Sequence, residues 1–237
     1  MSGRPLVLFD VYGTLVDVHT DEHQPALWQH LAQWLRYRGV ACTAEYLHTR
    51  YFATMQANLP AHERYPEWQT EQVWASLLAE FGLDPAEAVS MSQLLRVLSI
   101  KHLRLFPETK QALELLRQHY QLGIVSDAQR VIVLAELAEL GIGEYFAPII
   151  ISSDYAYRKP DPRLFGHALA QVPTSATKIW YIGDNVLRDV QGAQLAGLHA
   201  AWVKRPQATT EASQHTPDLI VPDLLSFVRH LIEQHST

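Results

Sequence analysis

The chain has a single cysteine, Cys42, among 237 residues. An intrachain disulfide is therefore excluded, and a zinc site built on cysteines is disfavoured. Long apolar runs are also missing: none approaches the ~18 residues of a membrane span. The apolar part of "MSGRPLVLFDVYG" is too short for a signal peptide, and Asp10 interrupts it. Basic runs are absent too, and the net charge of −6 argues against a nucleic-acid footprint. There is no internal repeat and no low-complexity tract. Together these absences predict a soluble cytoplasmic protein, monomer or homodimer, with no nucleic-acid or membrane partner.

What is present is an ordinary globular composition, 48% hydrophobic. The length suits one large α/β domain, or a core domain with a smaller insert. The 12 histidines are scattered. His19 and His23 share helical i, i+4 spacing, but no Glu lies between them as in the zinc-protease motif. They read as solvated positions near a helix start.

"LVLF", residues 6–9, reads as a short buried strand. From Thr20 to Arg104 the pattern is helical only. Leu27, Leu31, Trp34 and Leu35 share one face, a second helix is predicted over Ala44–Gln56, and a third over Glu67–Phe81. "DPAEAVSMSQLLRVL" starts the next with an Asp-Pro signal. The large aromatics of this block, Trp28, Trp34, Trp68 and Trp74 among them, are expected to fill its core.

After "FPET" strands and helices alternate. Helices are predicted over 109–119, 129–140, 161–171, 186–196 and 223–234, and strands in "QLGIVS", "APIIIS", "KIWYIGD", "HAAWV" and "DLIV". "KRPQATTEASQHTPD" is the one long loop. Alternating β and α with buried strands predicts an α/β fold, a doubly wound parallel sheet covered on both faces. The expected division is a core of residues 1–17 and 105–237, with a helical insert over 18–104.

Polar groups mark the ends of these strands: Asp10, then Ser126 and Asp127, then Lys159, then Asp184 with Asp189 five residues on. Open parallel sheets bind ligands at the carboxyl ends of their strands, so these residues are expected to converge. Asp10 and Asp184 side by side would repel unless a cation lay between them. Carboxylates, a carbonyl and water suit Mg²⁺. Lys159 adds positive charge, Ser126 a hydroxyl, and the turn after Asp10 backbone N–H groups. Such a cluster suits phosphoryl transfer, for which a carboxylate can serve as nucleophile.

"DVYGTLVD", "IVSDA", "RKPDPRLF" and "IGDNVLRDVQGA" resemble the four sequence motifs of the haloacid dehalogenase-like hydrolase superfamily. The resemblance covers the whole sheet domain, and the helical block resembles that superfamily's cap. It implies a Rossmann-like core, with Asp10 as nucleophile and Mg²⁺ held by Asp10, the main-chain carbonyl of Tyr12 and Asp184. It implies that Thr14, Ser126, Asp127 and Lys159 serve the substrate phosphoryl group, with Lys159 also facing Asp10. Asp189 and Asn185 would steady the site from behind. The cap would hinge near residues 17–20 and 104–107. The substrate would be a small phosphorylated metabolite.

One position departs. Phosphatases of this superfamily carry Asp where this chain has Tyr12, and use it as acid and base. The superfamily's 2-haloacid dehalogenases resemble this chain there, and they need no metal. They place Ser-Ser-Asn where this chain has Gly183-Asp184-Asn185. Without a metal, Asp184 would set a second charge beside Asp10 and weaken the nucleophile. Arg36 and Arg38 exist as halide partners, but nothing aims them at Asp10. The leading expectation is a Mg²⁺-dependent phosphatase. The alternatives are a metal-free 2-haloacid dehalogenase and a non-catalytic protein that binds a phosphorylated ligand or a partner.

Overall fold

The computed structural model describes residues 4–172, 178–205 and 215–235. Most of the predicted long loop, residues 206–214, lies outside the described residues. Eight strands occur among the described residues: β1 (Leu6–Phe9), β2 (Val16–Thr20), β3 (Ile100–Leu105), β4 (Gln121–Ser126), β5 (Ile149–Ile151), β6 (Trp180–Gly183), β7 (His199–Val203) and β8 (Leu219–Val221). Six of them form a sheet in the order β5-β4-β1-β6-β7-β8. Every pairing in it is parallel.

β1 is central, and the chain winds away from it in both directions. That makes the carboxyl end of β1 a topological switch point, where parallel α/β sheets hold ligands. Side chains alternate across β1. Val7 and Phe9 pack on one face, against Leu113, Val133 and Phe227. Leu6 and Leu8 pack on the other, against Leu164, Phe165 and Tyr181. The covering helices are α5 (Thr109–Leu116), α6 (Arg130–Glu139), α7 (Pro162–Gln171), α8 (Gly192–Leu195) and α9 (Leu224–His235). α7 starts where its chemistry allows: Pro162 needs no N–H there, and the Asp161 side chain accepts from the Arg163 backbone N–H.

The helical block is α1 (Pro25–Tyr37), α2 (Ala44–Ala57), α3 (Thr70–Glu80) and α4 (Ala88–Ser99). It has its own core, in which Trp28, Tyr51 and Trp74 are buried together. The expectation of helix alone over this block fails at its ends. β2 and β3 pair antiparallel into a two-stranded ribbon. The helical periodicity of α4 runs on into "SIKHLRL", which hides β3, whose stability comes from its partner β2. The segments expected to hinge, and both expected boundaries, fall on or beside this ribbon. His19 lies in β2 opposite His102, and His23 instead meets His48, Nδ1 to Nε2 at 3.1 Å. The two therefore share no helix.

Two further differences shape the site. α3 begins at Thr70, so Glu67 lies in the link before it. The predicted helix over 186–196 is a π-helical turn, Val186–Gln191, followed by α8.

Candidate active site

β1, β4 and β6 are neighbours, so their ends bring Asp10, Ser126 and Asp184 together. The Asp10 N–H donates to the Ile182 carbonyl, which extends the β1–β6 ladder by one residue and fixes the turn. Asp10 is buried, and its Oδ1 accepts from Ser126 Oγ at 2.6 Å and from Lys159 Nζ at 3.0 Å. Lys159 also donates to Asp189 Oδ1 at 2.5 Å and to Tyr181 Oη at 2.9 Å. Asp127 accepts the Lys159 backbone N–H on Oδ1, so it positions the lysine.

Gly13 sits at φ +76°, and a Cβ there would lie 2.3 Å from Asp184 Oδ2. Only glycine lets the turn after Asp10 press against Asp184. Gly183 makes a similar approach: its Cβ would lie 2.3 Å from Asp189 Cγ. The π-helical turn accounts for that direction. Asn185 Oδ1 accepts from the Arg188 N–H, and the Asn185 N–H donates to Asp189 Oδ2 at 2.8 Å. The wide turn thereby aims Asp189 back at Lys159, in keeping with the placing of π turns at functional sites.

One carboxylate oxygen from each of Asp10, Asp184 and Asp189 lies within 4.8 Å of the others. Burial, then the charges of Asp189 and Asp10, push the Asp184 carboxyl up to about 7. Burial also raises Asp10, against the pull of Lys159. For Lys159 burial works downward, but Asp10, Asp189 and Asp127 outweigh it and the ammonium stays charged. Lys159 and Arg188, the two cations acting here, leave negative charge in excess over Asp10, Asp127, Asp184 and Asp189. This all-oxygen donor set, short of positive charge, fits a hard divalent cation. Thr14 Oγ1 is buried beside the turn with no hydrogen-bond partner among the described residues, and the Thr14 carbonyl accepts from Arg205 at 3.1 Å.

Tyr12 does not stand in for the missing acid. Its hydroxyl donates to Glu136 Oε2 at 2.5 Å, and Arg96 from α4 holds the same carboxylate. Arg36 donates to the Cys42 carbonyl and Arg38 pairs with Glu87, so both are engaged within the helical block. Beside the reactive cluster, between the helical block and the sheet, lies a cavity of about 220 Å³. Tyr12, Glu67, Trp68, Asp127, Arg158 and Arg188 are among its lining. The sequence motifs do not reveal Glu67, Arg96, Glu136 or Tyr181. Arg188 was within reach, since it immediately precedes Asp189 in the fourth motif.

The haloacid dehalogenase-like hydrolase family matches residues 7–203. A phosphoserine phosphatase from Thermus thermophilus is 32% identical over 65% of this chain, which spans 61% of that relative. An (S)-2-haloacid dehalogenase from Pseudomonas sp. is 25% identical over 93% of this chain and 95% of its own length. The crystal structure of a 2-haloacid dehalogenase from Pseudomonas syringae pv. Tomato has the same fold, with a TM-score of 0.65 and 24% identity, covering 98% of this chain and 100% of that one. The motifs, the sheet order and the family match agree: the chain belongs to the haloacid dehalogenase-like hydrolases.

Proposed function

We propose that this hydrolase is a Mg²⁺-dependent phosphatase that cleaves a small phosphorylated metabolite through an aspartyl-phosphate on Asp10. The observation that carries this reading is the cluster of Asp10, Asp184 and Asp189 within 4.8 Å of one another. Four acids, counting Asp127, against Lys159 and Arg188 make sense as a cation site, and a metal-free dehalogenase would gain nothing from Asp184. The 32% identity to a phosphoserine phosphatase supports the same reading.

Asp10, Asp184 and the main-chain carbonyl of Tyr12 would hold the Mg²⁺, with Asp189 behind them. The bound ion would supply positive charge to the phosphoryl oxygens. Ser126 and Lys159 fix Asp10 through Oδ1, and a carboxylate oxygen of Asp10 would attack phosphorus. The same hydroxyl and ammonium offer donors to the phosphoryl oxygens as charge builds in the transition state. Asp127 and Asp189 keep Lys159 in place. Residues 1–17 and 105–237 are the catalytic core, and 18–104 the cap that excludes water over it.

A second reading has one observation in its favour: the dehalogenase relative matches across 93% of the chain. One experiment separates the two. Phosphate release from an aryl phosphate and halide release from 2-chloropropionate are measured with Mg²⁺ and with EDTA, in wild type, Asp10→Asn and Asp184→Ala. The phosphatase reading expects phosphate release that EDTA and both substitutions abolish. Halide release in EDTA without phosphate release would replace it with the dehalogenase.

A further inference from the structure

A phosphatase of this design needs a group that protonates the leaving oxygen and later takes a proton from water. Two residues after Asp10 stands Tyr12, which is engaged with Glu136. A different carboxyl stands over the same cavity. Glu67 is only 5% exposed and lines that cavity with Tyr12, Asp127 and Ala128, residues that flank Asp10 and Ser126 in sequence.

Its placement is tightly specified. The Glu67 N–H donates to the Ala156 carbonyl at 3.0 Å, and the Arg158 N–H donates to the Tyr65 carbonyl at 2.9 Å. Pro66 and Tyr157 form an antiparallel bridge between them. The segment carrying Glu67 is therefore stitched to the segment that ends on Lys159, although it belongs to the helical block. Neutral donors orient the side chain: Ser152 Oγ to Oε2 at 2.8 Å, and the Trp68 N–H at 3.2 Å and Gln129 Nε2 at 3.4 Å to Oε1. Burial pushes the carboxyl up to about 7 against the Ser152 hydrogen bond; Asp127 adds to the rise and Arg158 opposes it. The other charged groups around the cavity are Glu22, Arg96 and Arg188. A carboxyl poised near neutrality can both give and accept a proton.

We propose that Glu67, reaching in from the cap link, is the general acid and base of this enzyme; the inference rests on the phosphatase reading above. In the first step Asp10 bonds to phosphorus, the P–O bond to the alcohol breaks, and Glu67 gives its proton to the leaving oxygen. In the second step Glu67, now a carboxylate, takes a proton from the attacking water. The new P–O bond forms, the bond to Asp10 breaks, and inorganic phosphate leaves with both acids restored. The acid absent at position 12 is thereby supplied by another residue lining the same cavity.

The test compares an aryl phosphate, p-nitrophenyl phosphate, with an alkyl phosphate, glycerol phosphate, across pH in the presence of Mg²⁺. A good leaving group hardly needs the proton; an alkoxide does. Glu67→Gln is expected to lower kcat for the alkyl phosphate by about 10²–10⁴-fold. The aryl phosphate should change by less than about tenfold, and the fall in alkyl kcat/KM above about pH 7 should vanish. Glu67→Asp should retain that fall with intermediate rates, and it is the informative variant if Glu67→Gln does not fold. Equal losses on both substrates, or an unchanged pH limb, would mean that Glu67 only anchors the link, and the inference fails. If wild type releases phosphate from neither substrate, the phosphatase reading itself falls, and this inference with it.

Discussion

The Tyr12 hydroxyl donates to Glu136 Oε2 at 2.5 Å, and that bond turns a residue of the loop after Asp10 into part of the contact between the helical block and the sheet domain. Arg96 Nε, on α4 of the helical block, meets the other oxygen of Glu136 at 2.6 Å. Both side chains are largely buried, at 14% and 8% exposure. Burial and the charge of Glu136 push the Tyr12 phenol well above its usual range, so it stays a donor. Tyr12→Phe should therefore lose one charge-assisted hydrogen bond, about 1.5–3 kcal/mol, with turnover nearly kept. Arg96→Met should lose more, about 3–5 kcal/mol, because the buried Glu136 charge loses its cation and keeps only the Tyr12 hydroxyl. Urea unfolding of both variants checks the order. Equal losses would mean that the ion pair contributes nothing beyond the phenol.

Asp184 should show opposite effects on activity and on stability. Its carboxyl is pushed up to about 7 by burial and by Asp189 and Asp10, so its charge opposes folding when no cation is bound. In EDTA near pH 8, Asp184→Asn should raise stability by ~1 kcal/mol or more. The same variant should lose phosphate release and the rise in Tm that Mg²⁺ brings to wild type. Thermal unfolding with and without Mg²⁺ reads both. A destabilised variant in EDTA would mean that the acids are already compensated.

Glu67 should leave a mark on stability against pH. Its folded-state value of about 7 lies above the ordinary 4.5, so the buried protonated form is the favoured one. Its contribution is fully present below about pH 4.5 and is lost as pH rises through about 7, a span of ~1–3 kcal/mol. Asp127, raised to about 6 chiefly by burial, acts in the same direction. Unfolding free energy in EDTA should thus fall from about pH 5 to about pH 7.5, and Glu67→Gln should flatten part of that fall. A wild-type curve that rises over this interval would contradict the burial of Glu67.

Much of this site was legible because its parts sit at strand ends, where a charge interrupts a buried run. Asp10 and Asp184 carry that local signal and Ser126 ends β4 with a hydroxyl, whereas Lys159 lies eight residues past the end of β5 and is brought in by the loop that follows that strand. Glu67, Glu136 and Arg96 carry none. Each looks like an ordinary polar position on or beside a helix, and its role exists only through partners far along the chain: Ser152 for Glu67, Tyr12 and Arg96 for Glu136. β3 was hidden for a related reason, since pairing with β2 overrides the helical periodicity it continues from α4. The π turn was hidden because a six-residue wide turn and an α-helix share almost the same apolar spacing.

The last expectation joins two residues that line the same cavity, Tyr12 and Glu67. If Glu67 does the work that other phosphatases of this superfamily assign to an acid at position 12, the two carboxyls should substitute for one another. Tyr12→Asp alone forfeits the bond to Glu136 and should lower stability by about 1.5–3 kcal/mol, with modest gain in alkyl phosphate turnover. In the Glu67→Gln background the same change should restore alkyl phosphate turnover by about tenfold or more, because proton transfer of this kind contributes about 10²–10⁴-fold. Aryl phosphate turnover should move little in either background. The Mg²⁺ contact proposed for the main-chain carbonyl at position 12 should survive, since the substitution changes only the side chain. Steady-state kcat for both substrates in the four proteins forms a double-mutant cycle. Coupling confined to the alkyl phosphate means that the two positions share one proton-transfer role. Purely additive losses mean that an acid at position 12 cannot take over from Glu67, and the cap link then matters for docking alone.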